Sequence, residues 1–163
     1  MGKSKVGEMD FWTGEEFKKF IDSVMNKRLS YMAFMTLYWT GMRLGELLAL
    51  TPKDVDLEKR TISITKSYQR LGRKDVITLP KTPKSRRVIT IPEFLAADIK
   101  DYMDSLYDLQ EDDRRFPITK YYLEHEMQRG IKKSGVKRIR LHDLRHPYVK
   151  PTTKMLFKTK SYD

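Results

Sequence analysis

Residues Leu29 to Trp39 (Leu-Ser-Tyr-Met-Ala-Phe-Met-Thr-Leu-Tyr-Trp) are apolar nearly all the way round a helical wheel. Such a helix is stable in water only when other elements cover it on every side. The chain must therefore wrap its core around this segment. The wider apolar stretch, Leu29 to Leu50, is broken by Ser30, Thr36, Thr40, Arg43 and Glu46, so no segment is expected to span a bilayer. Upstream, Thr13-Gly14-Glu15-Glu16 reads as a capping box. Phe17, Phe20, Ile21, Val24 and Met25 follow at helical spacing, one stripe to lay against the central helix. Thr40-Gly41 interrupts the pattern, a short helix is expected from about Met42 to Leu50, and Thr51-Pro52 ends it.

The period then changes. Thr61–Thr65 alternates as a strand does, and Asp75–Leu79 and Arg87–Ile91 carry similar β-branched runs. Leu71-Gly72-Arg73-Lys74 and Thr82-Pro83-Lys84-Ser85 read as the two turns of a three-stranded antiparallel sheet. Pro92 opens a helix with Leu95, Ile99, Met103 and Leu106 on its inner face; Asp101, Asp104 and Asp108 form the solvated opposite face. A polar loop, Gln110–Arg115, leads to a helix over Thr119–Lys133, and another is expected to begin near His142. The order of elements makes this an α+β protein, a mainly helical domain with a small three-stranded antiparallel sheet.

Charge narrows the partner. The 163 residues hold 33 Lys+Arg against 22 Asp+Glu, a net charge of +11, which points to a polyanion such as nucleic acid. There is no cysteine, which excludes a disulfide scaffold, a thiolate zinc site and a Cys nucleophile. Met1-Gly2-Lys3-Ser4-Lys5 leads into Glu8 and Asp10 without the apolar run of a secretory signal, so a cytoplasmic protein is expected.

Three segments could carry chemistry. In Thr40-Gly41-Met42-Arg43-Leu44-Gly45-Glu46, Arg43 sits near the expected helix start, where its fork could grip a phosphate. Glu46, at i+3, could orient that guanidinium; an ordinary surface pair is the plainer alternative. In Pro80-Lys81-Thr82-Pro83-Lys84-Ser85-Arg86-Arg87, Lys81 and Lys84 lie at the second turn, where a lysine could reach a DNA groove and protonate a leaving oxygen. Arg86 adds a further cation. In Leu141-His142-Asp143-Leu144-Arg145-His146, His142 and Arg145 share a face at i, i+3 and could address one phosphate. His142 and His146 are also i, i+4, but the Glu of a zinc-protease helix and a third ligand are missing, so no metal is assigned. Lys132, Lys133, Lys137, Arg138 and Arg140 put five cations within nine residues, readable as a phosphate-backbone patch or as a solvated charge run. There is no glycine-rich phosphate loop.

Taken in order, the Arg43 segment, the turn lysine Lys81 (or Lys84) and the Leu141–His146 segment resemble the catalytic domain of the tyrosine recombinases, which include phage and transposon integrases and chromosome-dimer resolvases. The resemblance runs from about Phe11 to His146. It implies a partial recombinase catalytic domain over residues 1–146 and a basic tail over residues 147–163. It also implies metal- and cofactor-free phosphoryl transfer on double-stranded DNA, in which a tyrosine forms a 3′-phosphotyrosyl link that a 5′-hydroxyl then resolves. In that scheme Arg43 and Arg145 clamp the phosphate, Lys81 protonates the leaving 5′-oxygen, and His142 assists proton transfer. Glu46 and His146 support the site, and Lys84, Arg86, Lys132, Lys133 and Lys137 bind DNA.

The sequence also departs from the family. Family members carry a separate N-terminal DNA-binding domain, whereas here the similarity begins almost at Met1. After the second arginine the family continues a helix, then has a Leu-Gly-His-like segment and the nucleophilic tyrosine. Here Pro147 would break that helix, and no such segment follows. Tyr148 is too close to Arg145, and Tyr162 lies on a basic tail with no helical pattern. The expectation is a truncated or frame-shifted recombinase without its nucleophile, monomeric or weakly self-associating, whereas the family assembles as oligomers on DNA. The alternative is a non-catalytic DNA-binding or regulatory module that keeps the phosphate clamp.

Overall fold

A computed structural model describes residues 11–80 and 82–144. Three helices come first: α1 (Gly14–Ser23), α2 (Arg28–Thr40) and α3 (Leu44–Ala49). A 3-10 turn (Pro52–Asp54) leads to β1 (Val55–Asp56), β2 (Thr61–Ile64), β3 (Ser67–Leu71) and β4 (Lys74–Thr78). A second 3-10 turn (Pro83–Ser85), β5 (Arg87–Thr90), α4 (Glu93–Ser105), α5 (Lys120–Ser134) and a third 3-10 turn (Leu141–Leu144) complete the order.

The capping box forms as expected. Thr13 Oγ1 accepts from the Glu16 amide at 3.2 Å, and Glu16 accepts from the Thr13 amide at 3.1 Å. The stripe of α1 buries Phe17, Phe20, Ile21 and Val24, while Met25 stays exposed. Helix α2 is the buried axis, with every residue from Met32 to Trp39 out of solvent. Two of its hydroxyls are satisfied, one within the helix and one across to α5: Thr36 Oγ1 donates to the Met32 carbonyl at 2.7 Å, and Ser30 Oγ meets Tyr122 Oη at 3.1 Å. Aromatic rings knit the helices together. Phe17 stacks on Tyr38 with centroids 3.7 Å apart, Phe20 meets Phe34 edge-on at 5.0 Å, and Trp39 meets Phe94 of α4 edge-on at 5.0 Å.

Helix α5 closes over α1. Gly130 makes this possible, because a Cβ there would lie 2.5 Å from Phe20 Cε2 and 2.8 Å from Val24 Cγ1. Ser23 Oγ donates to the Gly130 carbonyl at 3.1 Å, Trp12 Nε1 to the Lys137 carbonyl at 2.8 Å, and Lys27 Nζ pairs with buried Glu126 at 2.6 Å. Between α3 and α4, Arg115 is fully buried. Its amide donates to the Leu50 carbonyl at 2.7 Å and its Nη2 to the Ile99 carbonyl at 3.2 Å, and burial drags its pKa down to about 10.

The sheet differs from its sequence reading. Three antiparallel strands do form, but in the order β1-β2-β5, with Thr61–Ile64 paired directly to Arg87–Thr90. The middle run, Lys74–Thr78, pairs instead with Ser67–Leu71 in a separate two-stranded ribbon. The cause lies in the side chains. Strand β2 turns Ile62 and Ile64 into the core, whereas β4 has no buried residue and cannot serve as a central strand. The turn at Gly72-Arg73 is a hairpin as expected, but Thr82–Ser85 is a 3-10 link from ribbon to sheet. Helix α4 buries Leu95, Ile99 and Tyr102 and leaves Met103 and Leu106 at the core edge; it ends at Ser105, so Asp108 lies beyond it. The segment at His142 is a 3-10 turn within the described residues.

Candidate nucleic-acid interface

Arg43 is the N-cap of α3, with extended backbone (φ −73°, ψ 151°). Buried Met42 before it and Leu47 and Leu48 after it anchor the segment, so the exposed Arg43 side chain leaves from a fixed point. Helix α3 is two residues shorter at its start than expected and only 6 residues long. Its dipole therefore contributes little, and the guanidinium itself is what an anion would meet. Among the described residues no carboxylate pairs with the Arg43 side chain.

Glu46 has a different partner from the one expected. It does not orient the Arg43 guanidinium; its Oε1 accepts from the Arg43 backbone amide at 2.9 Å. Its carboxylate is gripped bidentately by Arg87 of β5, with Nη2 to Oε1 at 2.8 Å and Nη1 to Oε2 at 2.9 Å. Glu46 stands at N3 of a capping box, where its carboxylate turns back onto the N-cap amide while Arg87 takes up both oxygens, so the side-chain pairing expected at i, i+3 does not form. Burial pushes the Glu46 carboxyl up, but the Arg87 fork, the Arg43 amide and both positive charges outweigh it and hold the pKa below the usual glutamate value.

His142 is exposed on the third 3-10 turn, between buried Leu141 and Leu144. Asp143 fixes this turn, accepting from the Arg140 amide at 2.9 Å and from the Arg140 guanidinium at 3.2 Å. Those contacts overcome burial and lower the Asp143 pKa.

A single open cleft of about 1040 Å³ brings Arg43 and His142 together from opposite ends of the sequence, with Arg70, Lys120, Tyr121 and Arg140 on its walls. The β3–β4 ribbon supplies Arg70. Close approach at Gly45 seats the ribbon on α3, because a Cβ there would lie 2.3 Å from Ser67 Oγ and 3.1 Å from the Tyr68 carbonyl. Arg114 adds a latch: its guanidinium lies 3.8 Å from the Tyr68 ring centroid and donates to the Leu48 carbonyl at 3.1 Å.

Other expected residues lie elsewhere. Lys84 and Arg86 are exposed on the link after the ribbon and do not line the cleft. Lys132 and Lys133 are exposed at the far end of α5, about 18 Å along its axis from Lys120 at 1.5 Å per residue. Lys137 lies 3.9 Å from Glu16 and 5.9 Å from the Phe11 ring, facing α1. Lys81, Arg145 and His146 lie outside the described residues. No sequence motif marks Arg70, Arg87 or Lys120 as belonging here. Arg140 carries two local signals, its place in the run of five cations and an aspartate three residues on.

Glu46 and Glu126 both have lowered pKa values, Glu126 because the hydrogen bonds and charges of Lys27 and Arg129 outweigh its burial. A carboxylate with a depressed folded-state pKa stabilises the fold above its unfolded value and loses that contribution as pH falls through the folded one. Thermal stability is therefore expected to hold from pH 7 down to about 4.5, the ordinary glutamate value, and to drop below it. Glu126→Gln should flatten the acid limb in melts at pH 7, 5, 4 and 3. An unchanged limb would mean that this ion pair plays no part.

Residues 11–150 match the phage integrase family. The chain is 33% identical over 156 residues to the ICEBs1 integrase of Bacillus subtilis, covering 87% of this chain and 42% of that protein. It is 31% identical to tyrosine recombinase XerA of Thermococcus onnurineus, with 83% and 46% covered. It thus spans less than half the length of these relatives. In fold it is similar to the Tn1549 transposon integrase in complex with circular intermediate DNA (TM-score 0.74, 22% identity, 87% of this chain and 53% of that one). It is also similar to crystalline XerA recombinase (TM-score 0.61, 23% identity, 83% and 47%). With the family pattern present in the sequence and two of its segments meeting in one cleft, this chain belongs to the phage integrase family, the tyrosine recombinases.

Proposed function

We propose that this chain binds double-stranded DNA in the cleft of Arg43 and His142 and serves site-specific recombination of a mobile element. One observation carries the reading: an exposed arginine without a carboxylate partner among the described residues faces the same cleft as an exposed histidine, Arg70 and Lys120. Such a wall suits a phosphodiester, whose non-bridging oxygens take charge-assisted bonds from Arg and Lys. The Tn1549 integrase, similar in fold, is described in complex with DNA.

In the recombination this cleft would serve, a tyrosine from outside residues 1–163 gives up its hydroxyl proton, its oxygen attacks the scissile phosphorus, the bond to the 5′-oxygen breaks, and that oxygen takes a proton from Lys81. Arg43 and Arg145 neutralise the charge that builds on the non-bridging oxygens, and His142 assists proton transfer. Glu46 holds Arg43 through the backbone. His146, Lys84, Arg86, Lys132, Lys133 and Lys137 are proposed to make supporting or more distant DNA contacts. Residues 147–163 do not follow the family's Leu-Gly-His and tyrosine pattern. We therefore assign DNA binding without cleavage to residues 1–163, acting in the cytoplasm, monomeric before DNA and assembled with other recombinase subunits on it. No helix among the described residues is long and apolar enough to cross a membrane.

The test is a titration of labelled duplex DNA between 50 and 200 mM salt, with a nicked duplex that traps covalent intermediates. Each phosphate contacted adds roughly 0.9 to the slope of log affinity against log salt. A slope of about 3 or more in magnitude and no covalent adduct is expected. Affinity that hardly changes with salt would refute DNA binding in the cleft. An adduct abolished by Tyr162→Phe would refute the assignment of binding without cleavage.

A further inference from the structure

Glu46 is a buried carboxylate, its side chain only 7% exposed, and two arginines lie near enough to lower its pKa. Buried carboxylates demand a cation, and an exposed arginine three residues away is an obvious donor. Yet Arg43 touches Glu46 only through its backbone amide. The cation on Glu46 comes from another element. The register Ile64↔Arg87 starts β5 beside α3, and from there the Arg87 fork fills both carboxylate oxygens at 2.8 and 2.9 Å. Arg87 also donates to the Ser85 carbonyl at 3.3 Å, which fixes its approach.

We propose that Arg87 is a positioning residue: by occupying both oxygens of Glu46 it keeps the Arg43 guanidinium free to grip a DNA phosphate. Without Arg87, Glu46 would be a buried, half-satisfied anion, and Arg43 would fold back onto it and leave the cleft. This rests on reading the cleft as a phosphate site, and a mutant cycle separates the two ideas.

The cycle uses the full chain, a 30-base-pair duplex and fluorescence anisotropy, with the melting temperature of each variant recorded alongside. Arg87→Met is expected to weaken binding by about 10- to 100-fold, as Arg43→Ala does, and to lower the salt slope by about 0.9, one phosphate contact. In the Arg43→Ala background, Arg87→Met should cost nothing more, because it acts through Arg43. Glu46→Gln combined with Arg87→Met should recover most of the affinity, since the carboxylate that captures Arg43 is gone. A purely structural role would lower the melting temperature yet give losses that multiply. If Arg87→Met fails to fold, Arg87→Lys keeps the charge but satisfies only one oxygen; it should show a smaller loss, again absent in the Arg43→Ala background. Wild-type affinity in Arg87→Met, or losses that multiply with Arg43→Ala, would overturn the proposal alone. Wild-type affinity in Arg43→Ala would overturn the phosphate reading of the cleft, and the proposal with it.

Discussion

Arg43→Ala is expected to weaken binding to duplex DNA by about 10- to 100-fold, while the melting temperature stays within about 2 °C of the parent. The effect on binding is large because the side chain makes no other bond among the described residues, so its whole donor set is available to a ligand. A hydrogen bond to a charged partner contributes about 1.5–3 kcal/mol, and each 1.4 kcal/mol is tenfold in affinity. The effect on folding is small because the guanidinium is exposed and the capping bond to Glu46 uses the backbone amide, which alanine retains. The slope of affinity against salt should also fall by about 0.9. Lys59→Ala, an exposed cation in the turn between β1 and β2, serves as the comparison and should change affinity less than twofold. Equal effects from the two substitutions would show that charge alone, without the cleft, holds the DNA.

Gly130→Val should have the largest effect on stability, a loss of about 2–3 kcal/mol or roughly 8 °C in melting temperature. The first added carbon already falls 2.5 Å from the Phe20 ring and 2.8 Å from Val24, and both are fully buried. Phe20 cannot turn aside, because it is wedged between Trp12 at 4.6 Å and Phe34 at 5.0 Å. Helices α1 and α5 must part, which strains the bonds from Ser23 to Gly130 and from Trp12 to Lys137. Gly130→Ala carries the same clash at Cβ but gains helix propensity of about 1 kcal/mol, so it should fall between the parent and valine. An alanine variant more stable than the parent would mean that the two helices separate without cost.

The helical part of the fold was legible because its signals are local. The Thr13–Glu16 box, the stripe from Phe17 to Val24 and the all-apolar Leu29–Trp39 each fix an element within a few residues, and the three appear where expected. Strand pairing is not local. Asp75–Leu79 has the composition of a strand, but only its partner decides which sheet it joins, and that partner, Ser67–Leu71, carries too little β-branched character to stand out. The site divides in the same way. Arg43 and His142 sit in recognisable segments. Arg70, Arg87 and Lys120 become neighbours of those segments only through the ribbon, the β2–β5 register and the start of α5. Glu46 shows the limit of spacing rules: i, i+3 put it beside Arg43, but capping geometry and a strand far along the chain settled what it holds.

The closure of α5 over α1 also sets an order of events during synthesis. Helix α1 is made well before Gly130 and Lys137, which close over it from more than one hundred residues further along the chain. Until then Phe17 and Phe20 lean on Trp12 and α2 without the cover of α5, and the nascent chain carries an open apolar seam. Long-range closure of this kind is slow, and it leaves a partly built domain exposed to self-association. A ribosome stalled before residue 126 would therefore display a sticky helix pair, and the nascent chain's solubility depends on completing α5.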